Sequence, residues 1–153
     1  MRAPYQVLVF PYYINDKGIE YAIFRRSDDK CWQAISGGGE DGETVIESAK
    51  REAFEEAEIS LDSNFLKLDT VNSIPAEEFA DSIYWGEDVY VIPENCYGVE
   101  ITDKQLKISY EHTEYKWMSY AEAISYLKWD GNKVALRELN KRLNKKIKHK
   151  ENL

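Results

Sequence analysis

A chain of 153 residues, 43% hydrophobic and 31% charged, is long enough for one domain with a real core, and this composition excludes a disordered or fibrous protein. The formal net charge of −8 argues against a general nucleic-acid binder, whose footprint is a basic face, and no apolar run is long enough to cross a bilayer as a helix. Cys31 and Cys96 lack C-x-x-C spacing, which fits a reduced, cytoplasmic setting.

The N-terminal stretch MRAPYQVLVFPYY reads as a first strand and not as a signal peptide. It has one Arg before an apolar run that Pro11 interrupts, and no small-residue cleavage site follows. Residues 7–13 and 21–24 are β-rich and flank a turn at Asn15, Asp16, Lys17 and Gly18, so the chain is expected to open with a hairpin. After a polar turn at residues 27–30, residues 31–35 read as a short strand leading into a glycine-rich loop. Thr44 with Glu47 three residues later forms a capping box that starts a helix at Val45, ending near Ala57 or Glu58.

On that helix Glu52, Glu55 and Glu56 fall within an arc of roughly 100°, beside an apolar stripe of Ile46, Ala49, Ala53 and Ala57. The like-charged i,i+4 pair Glu52 and Glu56 costs about 0.2–0.5 kcal/mol. Both residues also lie toward the helix end where the dipole disfavours anions. A bound divalent cation would offset this.

Further β-formers occupy residues 65–74, 89–92, 97–101 and 114–118. Ser119 and Glu122 make a second capping box, opening a helix over residues 120–127. A last helix from about Asn132 shows Leu136, Leu139, Leu143 and Ile147 at spacings of three and four. The final 21 residues hold 8 basic and 2 acidic groups against 12 and 26 in the rest, a pattern read as a solvated basic helix face that suits its own dipole. One helix after the third strand and two at the end predict an α+β fold, a mixed β-sheet sandwiched between α-helices and spanning residues 1–153 as a single domain.

Gly37, Gly39 and Gly42 satisfy G-x-G-x-x-G, but a dinucleotide site is a poor fit. Glu40 and Asp41 inside the loop would repel a pyrophosphate, and no alternation of strands and helices follows. Taken together, Gly37, Glu43 and the run Arg51-Glu52-Ala53-Phe54-Glu55-Glu56-Ala57-Glu58-Ile59 resemble the Nudix box, G-x5-E-x7-R-E-U-x-E-E-x-G-U, where U is aliphatic. The departure is Glu58, where the family has glycine. Within the Nudix (MutT-like) hydrolases, RRSDDKCWQAISGGGEDGET followed by EHTEYKW looks most like the bacterial dihydroneopterin triphosphate pyrophosphatases.

The resemblance implies a Mg²⁺- or Mn²⁺-dependent pyrophosphohydrolase acting on a nucleoside-diphosphate-linked substrate, such as a pterin or nucleoside triphosphate. Nucleic acid and membrane are not expected partners, and the protein would be a monomer or homodimer. Mg²⁺ takes a few carboxylates plus water and substrate phosphate, which suits glutamates at 0, +3 and +4 on a helix. By resemblance, Glu52, Glu55, Glu56 and the Ser36 carbonyl are metal ligands, and Glu52 or Glu55 assists catalysis. Arg51 and Glu43 hold the glutamates in place. Glu111 is a ligand or general base, with an exposed loop acid as its alternative.

Gly37 and Gly38 would lie against substrate. Arg25 and Arg26 would point to opposite faces of their strand, so at most one enters the site. Gln33 is a candidate reader of a base or pterin edge, and Lys116 a candidate phosphate contact. His112 reads either as a phosphate-polarising group or as a satisfied polar histidine. The alternatives are a dinucleoside polyphosphate hydrolase and a nucleotide-sensing module that does not cleave.

Overall fold

In the computed structural model, which describes residues 1–152, a seven-stranded sheet lies between one helix on one face and two on the other. The elements in chain order are β1 (Arg2–Asn15), β2 (Gly18–Arg26), β3 (Trp32–Gln33), β4 (Ile35–Glu40), α1 (Val45–Ala57), β5 (Phe65–Pro75), β6 (Val91–Glu100), β7 (His112–Met118), α2 (Tyr120–Tyr126) and α3 (Asp130–Glu151). Two short 3-10 turns, Ala76–Glu78 and Ala80–Tyr84, which the sequence reading did not anticipate, link β5 to β6. The sheet runs β3-β2-β1-β6-β5, with β4 also on β1 and β7 also on β2. Among the strands named here, β1 and β6 pair in parallel and the other pairings are antiparallel. Among the described residues no helix is long and apolar enough to cross a membrane.

Strand β1 is the centre, and its alternation explains the two cores. Val7 and Val9 face Ala49, Ala53 and Ala57 of α1, whereas Leu8, Phe10 and Tyr12 face Leu136, Leu139 and Leu143 of α3. A strand buried on both sides reads as a continuous apolar run. Pro11, which lacks an amide hydrogen, is tolerated because one edge of β1 pairs with β4 up to Val9 and with β2 only from Tyr12. The proline sits at the handover, where no ladder bond is required from it.

The hairpin, the α1 boundaries and its complete capping box match the sequence reading. Three expectations need correction. The glycine-rich segment is not a loop: residues 37–39 lie in β4, paired with β1. The glycines are there because the neighbours are close, since a Cβ on Gly39 would come within 2.0 Å of the Tyr5 ring and one on Gly38 within 2.5 Å of the Arg2 guanidinium. Second, the two β-rich runs at 89–92 and 97–101 belong to one strand, β6, which carries Pro93, Glu94 and Asn95 within its ladder to β5. Third, α3 begins at Asp130, two residues earlier than Asn132, whose side chain instead accepts a hydrogen bond from Ala34 N at 2.9 Å.

The break at Glu58 is absorbed locally. Its backbone is left-handed, φ 52°, and its amide reaches back to the carbonyls of Ala53 and Phe54. A side chain in that conformation costs roughly 1–2 kcal/mol, part of which glycine returns through its larger freedom in the unfolded chain. Glu58→Gly is therefore expected to stabilise the protein by about 0.5–1 kcal/mol in denaturant titrations; a destabilisation would show that the Glu58 side chain contributes more than its long, exposed pairing with Lys107 suggests.

Candidate active site

The alanine stripe of α1 allows the helix to approach the sheet closely, and the residues one position off that stripe enter the seam between α1 and β4. Glu56 is 1% exposed. Its Oε2 accepts a hydrogen bond from Ser36 N at 3.2 Å, while Oε1 is buried with no partner among the described residues. Glu52 lies over Gly37, where a Cβ would come within 2.1 Å of its carboxyl carbon. Gly37 thus makes room for a carboxylate.

Arg51 organises the acids around it with all of its donors. Nε and Nη2 bind Glu43 at 2.7 and 3.0 Å, Nη1 binds Glu52 at 2.9 Å and Glu55 at 3.2 Å, and Nη2 also reaches the Gly38 carbonyl at 2.8 Å. Glu43 further accepts from Ser48 Oγ at 2.7 Å and Glu40 N at 2.9 Å. The Arg51 bonds hold the Glu43 carboxyl down at about 2. Glu55 is the outermost of the set, its side chain 54% exposed.

The segment before β7 closes the far side. Its amides at Lys107 and Ser109 bond to the carbonyls of Ala57 and Glu56, at 3.4 and 3.1 Å, so the segment docks on the C-terminal end of α1 and satisfies part of it. This brings the Glu111 carboxyl beside Glu56. Burial first, then the neighbouring Glu111 and Glu52, raise the Glu56 pKa to about 10. Burial raises Glu52 to about 7 against the opposing pull of Arg51, with Glu55 and Glu111 adding to the rise.

Among the described residues no three carboxylate, imidazole or thiolate groups already form a closed metal shell; the guanidinium of Arg51 bridges Glu52 and Glu55 instead. The donor set nevertheless fits a hard divalent cation. It is all oxygen, one carboxylate oxygen is buried without a partner, and a glycine makes room for the Glu52 carboxylate beside the strand.

Beside Ser36 opens a cleft of about 680 Å³, walled by Arg26, Gln33, Asn72, Phe79, Glu94 and Trp129 among others. Of the residues expected to touch substrate, Arg26 and Gln33 reach this cleft, and Ser36 joins it to the box. Arg26 is held in place by two bonds to Asp28, at 2.9 and 2.8 Å. Arg25 does not reach it: alternation along β2 turns it toward Glu114, at 4.0 Å, and the Lys30 carbonyl. Lys116 is also outside, because its ammonium lies over the rings of Trp32 and Tyr126, at 5.4 and 5.7 Å from their centroids.

Gly37 and Gly38 back onto Glu52 and Arg2 and do not line the cleft. His112 is buried against Phe24, with both ring nitrogens unpartnered among the described residues and its pKa lowered by burial. The sequence reading missed Gln6, Asn72 and Glu94 in the cleft floor. A lone acid within the β-rich stretch at residues 91–97 was the available signal. A larger groove of about 870 Å³ runs along the outside of α3, but none of the box residues reaches it.

The chain matches the NUDIX domain family over residues 6–139. It is 27% identical over 139 residues to the dihydroneopterin triphosphate diphosphatase of Escherichia coli K12, covering 90% of this chain and 92% of the relative. It is 28% identical over 130 residues to the asymmetrical bis(5'-nucleosyl)-tetraphosphatase of Rattus norvegicus, covering 82% and 81%. A crystal structure from Listeria monocytogenes, assigned as a NUDIX hydrolase, superposes with a TM-score of 0.85 at 39% identity, over 94% of this chain and 97% of that one.

Proposed function

This chain belongs to the Nudix hydrolase family, and from that premise we propose that it is a Mg²⁺- or Mn²⁺-dependent pyrophosphohydrolase of a small triphosphate, a pterin or nucleoside triphosphate. One observation carries the reading: the buried, unpartnered Oε1 of Glu56 beside the Glu111 carboxyl, in a seam that Gly37 keeps clear for Glu52. A buried acid beside a second carboxylate is costly on its own and becomes favourable when a cation is shared between the two.

In this reading Glu52, Glu55, Glu56 and the Ser36 carbonyl would hold the cation, with Glu111 either a further ligand or the general base. When bound there, the cation would neutralise the diphosphate oxygens and make an attacking water more acidic. Arg51 and Glu43 fix the glutamates through the bonds described above, so that little reorganisation remains at the moment of reaction. As general base, Glu111 would accept the proton of the attacking water, since it is carried on the segment that docks on the end of α1 and places its carboxyl beside Glu56. Arg26 at the cleft wall supplies a positive charge for phosphate oxygens, and its bonds to Asp28 orient it.

The Escherichia coli relative, named for a pterin triphosphate, supports a pyrophosphate-releasing reaction. The rat relative, named for a dinucleoside tetraphosphate, supports an asymmetric cleavage as the second reading. A sensing module without hydrolysis fits less well, since all three box glutamates are present. The test is release of phosphate and pyrophosphate from dihydroneopterin triphosphate, GTP and diadenosine tetraphosphate, with Mg²⁺ and with EDTA. The expected result is Mg²⁺-dependent pyrophosphate from a triphosphate. Faster cleavage of the tetraphosphate would favour the second reading, and no metal-dependent turnover on any of the three would overturn the proposal.

A further inference from the structure

Glu94 has no part in the chemistry above, yet it occupies the floor of the cleft. It lies in β6, with Gln6 of β1 and Asn72 of β5 as its partners across the sheet. The residue is only 6% exposed, and burial pushes its pKa up. Its Oε1 accepts from Asn72 Nδ2 at 3.0 Å. The neighbouring Gln6 amide donates to Ser36 Oγ, also at 3.0 Å. Among the described residues no donor meets full hydrogen-bond geometry at Oε2, although the Gln6 amide lies close enough to favour the charged carboxyl, and Oε2 is not among the sealed-off polar atoms, so this oxygen opens into the cleft that Glu94 lines.

A carboxylate buried in this way needs a donor to complete it. The site around it is arranged for one occupant. Asn72 is held from behind by Gly131, where a Cβ would come within 2.7 Å of Nδ2. Trp129, 46% exposed, offers a ring on the cleft wall. From β4, next to the box, to β6 is two strand spacings, about 10 Å. A heterocycle at Glu94 is thus compatible with phosphates at Ser36. This end of the cleft presents acceptors, with Glu78 and Asp130 also in its lining, which suits a ring rich in N–H donors and not a phosphate.

We propose that Glu94, oriented by Asn72, selects the heterocycle of the substrate by accepting hydrogen bonds from a ring N–H and an adjacent exocyclic amino group. The edge of the 2-amino-4-oxopyrimidine ring shared by guanine and pterins carries that pair of donors. Adenine presents a ring acceptor beside its amino group and would meet the carboxylate with repulsion. The assignment rests on the proposal that this cleft holds the base of a triphosphate substrate, and it names the class of base.

The test reads binding without turnover, so that it is independent of hydrolysis. Equilibrium affinities of GTP and of ITP, which differs by lacking the 2-amino group, are measured in EDTA by quenching of tryptophan fluorescence. The wild-type protein is expected to bind GTP about tenfold or more tightly than ITP, as follows from losing one hydrogen bond to a charged acceptor. In Glu94→Gln the ratio is expected to fall to near one through weaker GTP binding. Gly131→Ala, which pushes on the Asn72 amide, is expected to reduce the ratio without touching Glu94 itself, and it serves if Glu94→Gln does not fold. Equal wild-type affinities, no binding of either nucleotide at millimolar concentration, or an undiminished preference in the folded variants would each overturn the proposal. Loss of Mg²⁺-dependent hydrolysis alone would count against the reaction and not against this selectivity.

Discussion

Glu56→Gln is expected to lower metal-dependent turnover by at least about 100-fold, the upper end of what removing a group that merely supports a metal ligand costs. Glutamine keeps the shape of the side chain and can still accept the bond from Ser36 N, so the fold should persist. The same substitution should change how the metal-free protein responds to pH. Glu56 titrates near 10 in the folded protein against an ordinary value of 4.5. Between those values the folded chain keeps a proton that the unfolded chain has released, so stability falls as pH rises through that window. Glu52 adds a shallower contribution between 4.5 and about 7.

In EDTA the melting temperature of the wild-type protein is therefore expected to decline from pH 5 to pH 9 more steeply than that of Glu56→Gln, which cannot ionise there. Added Mg²⁺ should raise the wild-type melting temperature most at high pH, because a carboxylate must be deprotonated to bind a cation. Parallel melting profiles together with unchanged turnover would remove Glu56 from the site.

Arg51→Lys tests the clamp. An ammonium has three donors and no planar fork, so it cannot serve Glu43, Glu52, Glu55 and the Gly38 carbonyl at once. Loss of charged hydrogen bonds costs about 1.5–3 kcal/mol each where fully buried. With the Arg51 side chain 25% exposed, water replaces part of that. The expected net loss is about 1–3 kcal/mol, read as a fall in melting temperature of roughly 3–10 °C. Turnover should fall about 10–100-fold, as when a residue that positions metal ligands is altered. If the variant kept full activity, the glutamates would be held by something other than the guanidinium.

The contrast between Arg25 and Arg26 shows how far local pattern reaches. Alternation along β2 sends the two to opposite faces, and only Arg26 lines the cleft. Which one reaches the cleft depends on the pairing of β2 with β7, since that pairing puts Glu114 opposite Arg25. Lys116 was a candidate phosphate contact as a point charge, yet two aromatic rings from β3 and α2 hold its charge elsewhere. Neither ring could be assigned to it without the fold.

The sequence by itself determined α1, its cap and the spacing of Glu43, Arg51, Glu52, Glu55 and Glu56, because these are set within a few turns of one helix by backbone geometry and adjacent side chains. It also determined that the chain would open with a hairpin and that two helices would end it, since turn residues and apolar periodicity are local properties. Only the tertiary structure decided that the glycines lie in a strand against Tyr5, Arg2 and Glu52, that the Glu111 segment docks on the end of α1, and that Glu94 meets Asn72 in the cleft floor. Those depend on strand register and on contacts between residues distant in the chain, where a shift of one position would send every side chain to the opposite face.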